Sequence, residues 1–160
     1  MVTCRSSNWV RRLGQAGFTA AELIVVVGVI GIIMAASAPF FLSFLHTSTL
    51  RAGAEEMSGV LNRARQLAIR DNTSMCVQRS GSQVRYRAGS CAGTVWTGPG
   101  TDAAGLIQLS NNITVTNGPD ALFTYLGTAS ASGTYTVTNP QDGRSLSVTV
   151  APSGRVSLGP

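Results

Sequence analysis

LIVVVGVIGIIMAASAPFFLSFL, residues 23–45, carries no charged side chain over its whole length. A helix of about 20 apolar residues, rising 1.5 Å at each, crosses a bilayer core of about 30 Å. The stretch therefore predicts a membrane-spanning helix. Upstream, MVTCRSSNWVRRLGQAG (residues 1–17) places Arg5, Arg11 and Arg12 ahead of the span. Positive flanking charge stays on the cytoplasmic side, which leaves the rest of the chain outside. A secretory signal peptide has a shorter apolar core followed by a small-residue cleavage site. Here the run is longer and the small residues precede it. Glu22 stands at the head of the span, where a carboxylate marks either a functional group or a side chain reaching the interface. The positive end of the helix dipole favours it there. Both readings stand on the residues alone.

Beyond the span, Leu50, Ala54, Met57, Leu61, Ala64 and Ala68 recur at alternating intervals of four and three, which places them on one helical face. The helix is expected to continue to about Asn72. Arg51 and Glu55, four apart, form a weak pair on another face, and Gly53 and Gly59 loosen the stretch. The apolar face needs a cover, and the chain that follows supplies one. From there the pattern changes to alternation and turns, predicting strands near 74–79, 83–88, 106–109, 112–117, 121–126, 134–139, 145–151 and 154–158. Pro119, Pro140 and Pro152 mark strand limits. Residues 89–105, rich in Gly, Ala and Thr, read as a long loop. The fold class is α+β: a long N-terminal helix, half span and half amphipathic, packed on a small antiparallel sheet or sandwich.

The chain has 160 residues, enough for one domain after the span. Its net charge is +5, and all 12 basic residues are arginine, a side chain that presents a planar, bidentate fork. Cys76 and Cys91 lie together in the later part, with Cys4 alone near the start. In an exported domain such a pair reads as one disulfide, the other reading being two buried thiols.

Gly17-Phe18-Thr19-Ala20-Ala21-Glu22-Leu23 in front of such a span resembles the class III leader of type IV prepilins and type II secretion pseudopilins. The segment LRAGAEEMSGVLNRARQLAIRDNTSMCV (50–77) resembles the helix and first strand of the GspH/FimT group, through Leu61, Ala64, Arg65, Ala68, Ile69 and Asn72. The closing VAPSGRVSLG (150–159) is similar to that group's last strand. The resemblance implies a type IV pilin-like fold. It implies that prepilin peptidase cuts after Gly17, that Phe18 becomes the methylated N-terminus, and that Glu22 pairs with the amine of a neighbouring subunit. Pro39 falls where many pilins carry a helix-kinking proline. The implied parts are a leader (1–17), a transmembrane and filament-core helix (18–45), an amphipathic helix (46–72) and a β-rich domain (73–160). The implied partners, besides the peptidase, are other minor pilins or pseudopilins, the major pilin and the inner membrane. The chain would be held there by one span with its C-terminal domain periplasmic, then built in near a pilus or pseudopilus tip.

Catalysis near neutral pH usually needs a base, and the one histidine, His46, falls at the outer edge of the span. Gly89-Ser90-Cys91-Ala92-Gly93 matches a nucleophile elbow in letters only, because that motif needs a strand-to-helix turn and a partner base. One histidine and separated cysteines do not make a metal set. No catalytic residue, metal or cofactor is expected, and the chain is read as a non-enzyme. The arginines are more suggestive. Arg85 and Arg87 alternate outward on one strand, with Arg79 near the same hairpin, while Arg144 and Arg155 follow glycines in the C-terminal hairpin, free to reach phosphate. Some FimT-type minor pilins of naturally transformable bacteria bind DNA through a C-terminal Gly-Arg motif with a second arginine close by. Gly154-Arg155 matches, but Val156 and Ser157 follow, so Arg144 is the candidate second arginine from the neighbouring strand. The alternative is that these arginines are solvated or hold the domain to neighbouring subunits.

Overall fold

The structure, a computed structural model, describes residues 18–159. The proposed leader, with Gly17 and Cys4, lies outside the described residues. The chain divides into two compact units, Met1–Phe40 and Phe41–Pro160.

In the first unit the described chain is the opening of helix α1 (Ala20–Arg70). Thr19 and Glu22 form a reciprocal capping box: Glu22 N–H donates to Thr19 Oγ1 at 3.2 Å, and Thr19 N–H donates to Glu22 Oε2 at 3.0 Å. Two of the donors orphaned at a helix start are thereby satisfied. Every side chain from Phe18 to Phe40 is exposed, including Ile24 at 72 % and Ile32 at 72 %. An all-round apolar helix with its backbone bonded internally is the form a bilayer accepts, and α1 has the length and composition to cross one. Pro39 lies inside the helix.

The second unit takes α1 from Phe41 to its end. All six residues of the expected apolar face are buried, joined by Gly53, Val60 and Leu67. Gly53 is a packing residue rather than a loose point, since a β-carbon there would stand 2.7 Å from Ile113 Cγ2. Gly59 faces open space. The helix stops at Arg70, two residues before the expected limit, because Asn72 turns left-handed at φ 48°.

Ten short strands follow. One sheet has the order β3-β2-β1-β6-β7, with β4 also pairing on β2, and the other has the order β10-β9-β8-β5. In the first sheet β1 is Met75–Ser80, β2 Gln83–Ala88, β3 Thr94–Val95, β4 Leu106–Ile107, β6 Ala121–Phe123 and β7 Ala129–Ala131. In the second, β5 is Thr114–Asn117, β8 Gly133–Thr138, β9 Ser145–Val150 and β10 Val156–Gly159. All pairs are antiparallel. The inner faces of both sheets and the helix share one core. Two tyrosines tie the layers together: Tyr86 donates to Val60 C=O of the helix at 2.8 Å, and Tyr135 of the second sheet donates to Val77 C=O of the first at 3.0 Å.

The strand expectations need six corrections, two of them that β4 ends at Ile107, not 109, and that β10 begins at Val156, not 154, because Ala151 to Arg155 closes the turn before it. β6 ends at Phe123, not 126, because Thr124 to Thr128 closes a tight turn. β5 begins at Thr114, because Ser110–Asn112 form a 3-10 turn with Asn111 at φ 56°. β3, inside the expected loop 89–105, and β7 were not expected; a two-residue and an Ala-Ser-Ala strand carry too little alternation to show in sequence.

Candidate functional site

At the helix head, Phe18, Thr19 and Glu22 come together. Both bonds from Thr19, N–H and Oγ1–H, go to Glu22 Oε2. The single-chain structure therefore uses Glu22 as a cap, a role that Thr-x-x-Glu before an apolar run signals in sequence.

The disulfide is formed between Cys76 of β1 and Cys91 in the turn after β2. Asp120 lies close to both sulfurs, but sulfurs bonded to each other have no thiolate to give a metal. Gly89–Gly93, the letter match to a nucleophile elbow, is the turn between β2 and β3, not a strand-to-helix turn.

The arginines are placed differently from one another. Arg85 and Arg87 lie on the outer face of β2, as alternation implies, but neither is free. Both donate through Nε to one acceptor, Gln78 Oε1, at 3.2 and 2.8 Å, and Arg87 Nη1 holds Gly93 C=O at 2.7 Å. They brace the disulfide turn. Arg79 reaches Gly81 C=O at 2.8 Å.

Arg144 and Arg155 are not brought together. Arg144 precedes β9 and Arg155 follows the turn after it, opposite Ala151, so the length of β9 separates them. Arg144 is also engaged, donating to Thr47 Oγ1 at 3.0 Å and facing Asp142 at 3.6 Å, while His46 stands 4.0 Å from that same carboxylate. This cluster ties the β8–β9 turn to α1. Arg155 is exposed.

The side chain beside the Gly-Arg turn is Arg65, from the helix. A β-carbon on Gly154 would stand 3.3 Å from Arg65 Nε, and one on Gly127 would stand 3.1 Å from it. Arg65 Nε is buried and has no hydrogen-bond acceptor among the described residues. A buried donor without a partner is costly. In sequence Arg65 shows only as a family-pattern residue, since its proximity to Gly154 is a tertiary contact.

The family described as type II transport protein GspH matches residues 53–154. Among solved structures, the type IV minor pilin FimU of Pseudomonas aeruginosa has a TM-score of 0.51 at 19% identity, over 73% of this chain and 92% of that one. The minor pseudopilin EpsH of the Vibrio cholerae type 2 secretion system has a TM-score of 0.51 at 11% identity, over 68% and 94%. At such identities the likeness is one of fold. No curated protein matches the chain.

Proposed function

The chain belongs to the GspH family, and from that premise we propose that it is a minor subunit of a type IV pilus or type II secretion pseudopilus, anchored in the inner membrane before assembly. Its work is assembly rather than catalysis. The observation that carries this reading is the wholly exposed, uncharged helix surface from Leu23 to Phe40, headed by Glu22, ahead of a domain of this family. Such a surface needs lipid first and other apolar helices afterwards. On this reading residues 1–17 are the leader, 18–45 the span and filament core, 46–72 the amphipathic half, and 73–160 the β-rich domain facing the periplasm. Prepilin peptidase cuts after Gly17, Phe18 is methylated, and Pro39 kinks the helix.

Intact mass of the membrane form tests the processing step. The expected mass is that of residues 18–160 plus one methyl group, and Gly17→Ala leaves the full precursor. An unprocessed wild-type chain would contradict the leader assignment.

A second reading, DNA capture for uptake, is favoured by the Arg65 guanidinium beside Gly154-Arg155. The arginine pair supporting it is Arg65 with Arg155, in place of Arg144. Phosphate contacts show as a steep loss of affinity with salt. Salt-dependent binding of double-stranded DNA that weakens in Arg155→Ala supports capture, and no binding at low salt removes it.

A further inference from the structure

The antiparallel sheet β10-β9-β8-β5 has two edges, and they are finished differently. β5 is interrupted by a bulge between Val115 and Asn117, and Val115 N–H bonds out to Ser82 C=O. That edge is blunted in the way natural sheets manage their margins. β10 is regular, carries no charge, and among the described residues pairs with β9 alone.

The hairpin fixes which backbone groups of β10 are free. Ala151 N–H donates to Arg155 C=O, and Gly154 N–H to Ala151 C=O, with Gly154 at φ 78°. This is a three-residue turn with a glycine bulge, which makes Ala151/Arg155 a bonded pair. By the alternation of an antiparallel ladder, Thr149/Ser157 and Ser147/Gly159 are bonded pairs too, so Val156 and Leu158 turn their N–H and C=O groups outward. Among the described residues, no strand meets them.

The side chains agree. Leu158 sits opposite Val148, which is fully buried, so it lies on the inner face, yet it is 45% exposed. It opens on a groove of about 690 Å³ shared with Thr47, Leu50, Arg144, Leu146 and Gly159. The core is open to solvent at this margin. The groove adjoins the helix turn that carries Leu42, Phe44 and Leu45, all exposed, which on the filament reading packs against other subunits.

We infer that the free edge of β10 and this groove form a docking site for an extended segment of a neighbouring pilin-type subunit, added as a further strand with an apolar side chain over Leu158. Strand addition supplies affinity through main-chain bonds and selectivity through the side-chain pocket. The inference rests on the filament reading. Continuity with the exposed helix turn selects a subunit of the same filament over an unrelated peptide.

The test uses the full chain in cells assembling the filament, with a photo-crosslinking residue at Thr47 in the groove or, as a separate probe of filament packing, at Val27. The expected result is an adduct from Thr47 to a different pilin-type subunit, mapped to an extended segment. Leu158→Pro should lower that adduct by about tenfold, since it removes an outward N–H that β9 does not use and trims the side chain that lines the groove. Should Leu158→Pro lower the melting temperature, Leu158→Glu, which charges the groove and keeps the N–H, takes its place. An adduct at Val27 with none at Thr47 overturns the inference and leaves the filament reading standing. Absence of both overturns the reading itself. An adduct to a second copy of this chain, or one indifferent to both Leu158 variants, also overturns the inference.

Discussion

Glu22 has one role in the isolated chain and a second in the assembly proposed for it. In the isolated chain its Oε2 caps the helix through Thr19, whereas assembly as proposed requires its charge against a neighbour's amine, since a carboxylate among apolar helices is tolerable only when compensated. Glutamine serves a capping box as well as glutamate does. Glu22→Gln should therefore insert normally and keep its helix start, yet fail to enter sheared filaments, as Glu22→Ala should. Normal entry of the glutamine variant would reduce Glu22 to a cap. The two helix glycines separate in the same manner. Gly59→Ala should stabilise the 41–160 domain by about 0.5–1 kcal/mol through helix propensity. Gly53→Ala meets Ile113 and should destabilise it, overpacking costs of about 1–3 kcal/mol outweighing that gain. Urea unfolding of both variants checks the pair, and the domain is a fair subject because every buried core residue lies within it. The sequence placed both glycines on the helix, but only the fold shows which one Ile113 touches.

At the scale of elements, the helix was the most legible part. Its charge-free run and its four-three spacing are periodic over many residues, and all six face residues are buried as expected. The long alternating strands β1, β2, β8 and β9 were readable for the same reason. β3 and β7 were not, because strands of two or three residues exist only through the neighbours they pair with. The candidate site divided along the same line. Glycine-arginine turns can be found in sequence, but whether a guanidinium is free depends on acceptors far along the chain, as Gln78 for Arg87 and Thr47 for Arg144 show. The disulfide joins the first hairpin to its following turn across a separation of 15 residues. Cys91→Ser should cost about 3 kcal/mol in the chain-entropy account, read by urea unfolding of the oxidised domain against the variant. It should also leave Arg87 less tightly held.

For the whole molecule, Tyr86 and Tyr135 join helix to sheet and sheet to sheet. Burial pushes both phenols well above the ordinary value of 10.0. The unfolded chain then loses these protons near pH 10 while the folded one keeps them. Their stabilisation is fully present below that pH and is lost as pH rises toward the folded values. Arginine stays charged in that range, and the chain has no lysine. Stability of the domain should fall as pH rises above about 10, with a smaller slope in Tyr86→Phe. A flat profile would place the phenols in contact with water.

The family, the exposed helix and the Glu22 head converge on incorporation into a filament. Its most direct measurement is mass spectrometry of filaments sheared from the cells that make them, purified away from membrane. The account predicts peptides of residues 41–160 in the filament fraction at low abundance beside the major subunit, together with an N-terminal peptide beginning at methylated Phe18. Confinement of the chain to the membrane fraction while filaments are assembled normally would contradict it.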